Sequence, residues 1–214
     1  MHADHLRPLL EAAYVEQGHP FYRVGAYNLN IFGIRSSRLS RDEVRFDDVI
    51  GVAYRDHHDT NRLQLYRGTV DPGTPYLLDP MNPRGTAAWA VGHNPSCWML
   101  GLHHGKTPAL VQCGPIKIHR DNDRDNIFEA MPTNEEIATN AGLNLHYMGD
   151  GPDSRAVNRW SAGCWGCEDP RDLDALLELC RLQKKTNPKW YRFSGTLFDY
   201  AAELEPFFAA LNIR

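Results

Sequence analysis

Two residue types in one short stretch can do covalent chemistry together. His146 stands eighteen positions before Cys164. A cysteine attacks as its thiolate and needs a base or a cation beside it to reach that form near neutral pH. An imidazole within hydrogen-bond reach is such a base. The alternating run Leu143-Asn144-Leu145-His146 is expected to deliver the histidine at the end of a strand. A loop rich in Gly, Asp, Asn and Pro follows, and then a second short segment presents Ser161-Ala162-Gly163-Cys164. The loop lets the chain reverse, so that the two side chains can meet. Gly163 removes a Cβ directly before the cysteine, so N–H groups around Gly163 and Cys164 can approach a substrate oxygen.

His146, Ser161, Gly163 and Cys164 together resemble the motif of the L,D-transpeptidase (YkuD-like) catalytic domain. That motif is a histidine followed, after about fifteen residues, by Ser/Thr-His-Gly-Cys. Two departures stand out. Ala162 occupies the place of the family's second histidine, and Trp165-Gly166 follow the cysteine where the family often has an apolar residue and then Arg or Asn. The resemblance implies a mixed, mostly β, sandwich-like (YkuD-like) domain. It implies a thioester at Cys164, His146 as proton acceptor and peptidoglycan stem peptides as substrates. In the family a backbone carbonyl just after this histidine helps to hold the imidazole, and Tyr147 is the residue at that position. Arg159 and Trp160 are candidates for substrate binding, Arg159 through a bidentate contact with a carboxylate. With Ala162 in place of an imidazole, fewer groups position an amine acceptor, and orientation is a large part of any transfer rate. Hydrolysis, as an L,D-peptidase, carboxypeptidase or lytic enzyme, is therefore expected over crosslinking, with no cofactor required.

The same residues admit other readings. Cys164-Trp165-Gly166-Cys167 is a C-x-x-C and so a candidate thiol–disulfide site. Cys164, Cys167, His146 and His119 are admissible zinc ligands by type. A cell-wall-binding module that kept the fold and lost catalysis is a third.

The elements that must position these residues are legible as period and punctuation. Residues 5–17 read as an amphipathic helix that Gly18 ends. From about residue 21 to 120 come short β-like runs: Asn28–Arg35, Asp48–Tyr54, Leu63–Thr69, Thr86–Val91, Trp98–Leu102, Ala109–Gln112 and Lys117–Arg120. Gly/Pro/Asn turns separate them, including 71–75 and His93-Asn94-Pro95, and this pattern suggests a sandwich or barrel-like β structure. Asp169 and Pro170 open a helix over about 170–186. Trp190–Leu197 reads as a strand, and 199–211 as a closing helix that Pro206 kinks. No linker interrupts the chain, so 1–214 is read as a single α+β domain. His103-His104-Gly105 and His57-His58 read as surface turns, because adjacent strand positions face opposite sides and cannot share one metal.

Asp121, Asp123, Asp125, Asn126 and Glu129 resemble the first part of a calcium loop, with Asn126 in place of the usual glycine and Pro132 in place of the closing acid. A hairpin tip laced with Asp and Arg is the competing reading.

Composition bounds the partners. A net charge of −4 with no basic stripe gives no reason to expect nucleic acid. No run of about eighteen apolar residues exists, so no membrane span is expected. The N-terminus lacks a basic start followed by an apolar run, so no signal peptide is expected. A protein that must nevertheless reach the wall or periplasm is expected to be delivered by a phage or a secretion system, with that machinery or an immunity protein as its partner. The five cysteines, an odd number, leave at least one thiol unpaired within the chain.

Overall fold

The computed structural model describes residues 1–36, 44–128, 134–149 and 156–213. Its strands are β1 (Asn30–Ile34), β2 (Asp48–Arg55), β3 (Asn61–Thr69), β4 (Thr86–Trp89), β5 (Gly92–His103), β6 (Thr107–Gln112), β7 (Ile116–Asp121), β8 (Glu135–Ala138), β9 (Leu145–Tyr147), β10 (Trp165–Cys167) and β11 (Arg192–Phe198). The helices are α1 (Arg7–Glu16), α2 (Thr74–Leu78), α3 (Pro170–Thr186) and α4 (Glu205–Ala210). The chain is α+β and mostly β. Eight strands close into a barrel in the order β1-β11-β5-β6-β9-β10-β3-β2, and β4-β7-β8 form a separate three-stranded sheet. Of the sandwich and barrel-like alternatives that the strand pattern allowed, the large sheet takes the closed barrel, not the sandwich that the resemblance implies. The reason lies in β1, which pairs antiparallel with β2 on one side and parallel with β11 on the other. That contact joins the first strand to the last and removes the free edges that a sandwich would keep.

Burial follows the strand period. Ile31 joins a cluster with the inward-facing Ile50, Val52, Trp89, Trp98 and Trp165. Its neighbours Phe32 and Ile34 face the other way, into a cluster with Leu6, Leu10 and Tyr14 at the N-terminus and Phe207 and Phe208 of α4. α3 turns Leu173, Leu176, Leu177 and Cys180 into the first cluster. Its ends are the expected ones: the Asp169 carboxylate accepts from the Arg171 N–H at 2.8 Å, and Lys184 and Lys185 occupy the last turn.

The C-terminal helix is shorter than 199–211. A 3-10 turn over Ala202–Leu204 precedes α4, and Pro206 sits in its first turn, where a missing N–H costs nothing, rather than kinking a longer helix. Likewise a 3-10 turn over Asp4–Leu6 leads into α1. No helix among the described residues is long and apolar enough to cross a membrane.

Candidate active site

His146 and Cys164 are brought together by one parallel pairing. β9 lies beside β10 with Leu145 opposite Trp165 and His146 opposite Gly166, so Cys164 enters the sheet beside the strand that carries the histidine. Trp165 anchors this arrangement from within. Its ring packs 4.6 Å from that of Trp89 and 5.1 Å from that of Trp98, centroid to centroid.

The Ser161–Cys164 turn is held by its own side chain. Ser161 is fully buried, and its Oγ accepts from the Gly163 N–H at 3.1 Å and donates to the Cys164 carbonyl at 2.8 Å. Gly163 has φ +118°, and a Cβ there would collide with the carbonyl oxygen of Ala87 in β4. Its duty is therefore conformational. Because the Gly163 N–H is engaged by Ser161, it is not free to meet an oxyanion in this arrangement, which corrects the expectation for that group.

The imidazole of His146 is oriented by the backbone. Nδ1 donates to the Tyr147 carbonyl oxygen at 2.7 Å, which leaves the lone pair on Nε2. Nε2 is buried and has no hydrogen-bond partner among the described residues. A ring nitrogen of His146, a ring nitrogen of His103 and Cys164 Sγ all lie within 4.8 Å of one another. Cys164 Sγ accepts from the Asn144 N–H at 3.4 Å and donates to the Gly142 carbonyl at 3.3 Å. Burial pushes the Cys164 thiol up to about 11, against a smaller downward pull from the Asn144 N–H. Burial likewise lowers His146 to about 4, helped by His103 and opposed by the bond to Tyr147. The resting pair is a neutral thiol beside a neutral imidazole.

His103 is the residue that sequence reasoning missed. His104 and Gly105 both adopt positive φ, +50° and +70°, and close the tight β5–β6 hairpin. His103 is the last residue of β5, and its ring stacks on that of His146 at 3.8 Å and 15° from parallel. Asn144 fixes it. The Gln112 N–H donates to Asn144 Oδ1 at 2.9 Å, so Nδ2 faces His103 Nδ1, also at 2.9 Å, as donor. Only the turn residue Gly105, next to an alternating strand, hinted at this placement.

The zinc set expected from sequence does not assemble. His119 lies on β7 in the small sheet, its Nδ1 paired with Asn134. Cys167 points into the tryptophan-lined cluster, whereas Cys164 packs with Phe46, Met148 and Val157. All five cysteines are free, so the C-x-x-C forms no disulfide here. Among the described residues the metal-type group is instead His103, His146 and Cys164. A metal ion about 2 Å from each nitrogen lies in the plane of each ring. Two rings stacked nearly parallel cannot both meet that condition, so the cluster suits proton transfer better than coordination. The aspartates of the calcium reading do not converge either. Asp121 is buried on β7, Asp123 accepts from the Asp125 N–H, and Asp125 accepts from the Ile127 N–H. Glu129 and Pro132 lie outside the described residues.

A cavity of about 470 Å³ is lined by residues that include Ala141 and Ala162 together with Arg84, Arg120 and Glu136, while Cys164 and His146 do not line it. Arg159 and Trp160 do not line it. They stand on an exposed 3-10 turn over Asn158–Trp160, where the Arg159 guanidinium lies 6.0 Å from the centre of the Tyr76 ring. No protein-family model, no curated protein and no solved structure matches this chain.

Proposed function

We propose that the chain is a cysteine acyl-transfer enzyme of the L,D-transpeptidase type. In this reading it acts on peptidoglycan stem peptides and hydrolyses more than it crosslinks. One observation carries the proposal: His146 Nδ1 is committed to the Tyr147 carbonyl, so the lone pair of Nε2, buried and without a partner among the described residues, is left as the base in a ring with a nitrogen within 4.8 Å of Cys164 Sγ. The motif resemblance in His146, Ser161, Gly163 and Cys164 adds the family, its YkuD-like architecture and its substrate class.

In this mechanism Cys164 Sγ attacks a peptide carbonyl carbon while His146 Nε2 takes the thiol proton. The Asn144 N–H, already donating to Sγ, favours the developing thiolate. The tetrahedral intermediate collapses to a thioester, and the leaving amine takes the proton back from His146. Water, deprotonated by His146, then attacks the thioester, and the thiol is restored. Ser161 shapes the turn that presents Sγ, and Tyr147 holds the imidazole. His103 offers its ring face to the imidazolium that forms in each half of the cycle, a contact of the cation–π kind. Delivery to the wall by a phage or secretion machinery belongs to the same proposal.

The test is to incubate the purified protein with muropeptides and analyse protein and products by mass spectrometry. The expected result is a shortened stem peptide and a transient acyl group on Cys164. Unchanged muropeptides, or equal turnover by Cys164→Ala, would remove the proposal.

A further inference from the structure

The cavity lined by Ala141 and Ala162 has a charge pattern that the proposed chemistry does not use. Among the described residues its lining carries three charged side chains, Arg84, Arg120 and Glu136; the remainder is neutral, polar or apolar. Arg84 Nη1 contacts Glu136 Oε2 at 2.6 Å, and Arg120 Nε contacts Glu136 Oε1 at 2.9 Å. Arg120 Nη1 also donates to the Gly85 carbonyl at 3.0 Å. Two guanidinium groups thus share one carboxylate, which leaves one positive charge in a chain whose net charge is −4. Arg120 is largely covered and fixed by the sheet, whereas the Arg84 side chain is 67% exposed. Among the described residues Arg84 Nε and Nη2 have no partner, so this guanidinium keeps part of its fork for a ligand.

Two lining residues adjoin the segments that hold Cys164. Ala141 precedes Gly142, whose carbonyl accepts from Cys164 Sγ, and Ala162 lies two residues before Cys164. A ligand filling the cavity therefore meets both the Arg84–Glu136–Arg120 cluster and the residues Ala141 and Ala162, close in sequence to Gly142 and Cys164. Asn82, Thr139 and Asn140 add neutral donors and acceptors of the kind that pair with peptide groups.

We infer that this groove binds an extended peptide bearing a carboxylate, with the carboxylate held by Arg84 and the chain running toward Ala162 and Cys164. The inference rests on the acyl-transfer reading for what happens at the thiol, but not for the binding itself. Glu136 acts as the internal competitor: it occupies the two guanidinium groups until a ligand carboxylate shares Arg84.

The experiment separates binding from turnover. Cys164→Ala protein is titrated calorimetrically at low salt with a synthetic stem tetrapeptide, and with versions in which each carboxylate in turn is a carboxamide. Amidation of one particular carboxylate is expected to weaken binding about tenfold, the scale of one charge-assisted hydrogen-bonded contact. Arg84→Ala, added to the same protein, is expected to bind the acid as weakly as that amide and to lose the preference between them. Glu136→Gln is expected to tighten binding of the acid several-fold and leave that amide unchanged, an effect that mere disruption of the groove would not produce. Equal affinity for acid and amides in the parent protein, absence of binding, or a preference that survives Arg84→Ala would overturn the inference. Turnover by the protein with Cys164 intact is followed separately on the same peptides. Acylation without a carboxylate preference sinks the groove and leaves the enzyme, and carboxylate-dependent binding without acylation sinks the enzyme and leaves the groove.

Discussion

The ring of His103 lies on the ring of His146 at 3.8 Å, nearly parallel. Burial lowers the proton affinity of both; His103 lowers that of His146 further, and His104 lowers that of His103. One neutral ring over one imidazolium is favourable, while two charged rings at that distance repel. In the proposed mechanism His103 is therefore a positioning residue that covers one face of the base. In His103→Ala, water reaches His146, and the acid limb of the kcat/KM profile is expected to move up toward neutral pH with about a tenfold loss of rate. His103→Phe keeps the covering ring and is expected to leave the limb in place. If both variants shift the limb alike, the stack has no part in setting it.

His146 also links stability to pH. Its value in the folded state, about 4, lies below the ordinary 6.5. As pH falls from about 6.5, the unfolded chain takes up this proton first, so stability drops until about pH 4 and is level below that. The full difference is on the order of 3 kcal/mol, at about 1.4 kcal/mol for each tenfold change in proton affinity. Between neutral pH and pH 4 the stability of the parent relative to His146→Gln, read from urea midpoints, is expected to shift progressively against the parent. A constant offset across that range would contradict the assignment.

The thiols should label in an order set by cover rather than by function. Cys164 is pushed up to about 11 by burial, and Cys97, Cys167 and Cys180 are pushed up more strongly. Cys113 alone is partly exposed. Iodoacetamide at neutral pH is therefore expected to modify Cys113 first and Cys164 slowly, with the Cys164 rate climbing toward high pH. This replaces the sequence-based expectation of a thiolate poised by His146 in the resting protein. Rapid neutral-pH labelling of Cys164, mapped by peptide mass spectrometry, would restore it. Cys180→Ala is expected to keep turnover and to lose on the order of 1 kcal/mol of packing.

Gly163 is the position least able to accept a side chain. Gly163→Ala needs a positive φ and drives a methyl group into the Ala87 carbonyl. A loss on the order of 2–4 kcal/mol is expected, together with displacement of Cys164. A melting curve like that of the parent would show that the turn relaxes freely.

The fate of the thioester should follow Ala162, which lines the groove and offers no polar group. With a stem peptide and a modest excess of a D-amino acid, the hydrolysed product is expected to dominate, since an unoriented amine competes poorly with water. Ala162→His is expected to raise the exchanged fraction. Exchange that dominates already in the parent protein would make the chain a transpeptidase despite Ala162.

Much of this was legible in the sequence because it is local. Asp169-Pro170 and the leucine period define α3, and most strands fall within a few residues of their alternating runs. The histidine strand and the Ser161–Cys164 turn were marked by residue type and spacing. What escaped is non-local. β5 extends back through Asn94-Pro95, a dipeptide that reads as a turn, because the ladder to β11 is irregular between Phe193 and Gly195 and spares the proline a lost bond. β8 has an acidic, weakly β-like sequence and exists because β7 pairs with it. α2 follows Gly73 within a stretch that reads as turn, with Pro75 in its first turn. Barrel closure between β1 and β11 carries no local signal. For the same reason His103 could not be assigned to the site: 43 positions separate it from His146, and only the closed sheet brings them together.

Trp165 is peptide-bonded to Cys164, and its indole is packed against Trp89 and Trp98, whose own ring centroids are 4.8 Å apart. Three indoles this close behave as one coupled chromophore, with a near-ultraviolet dichroic band set by their mutual geometry. Trp160 and Trp190 lie outside this cluster and contribute an independent background. The chain therefore carries an optical gauge wired to its own thiol. If Cys164 is acylated as proposed, its displacement would tilt Trp165 against its two neighbours and register in stopped-flow spectra without any added label.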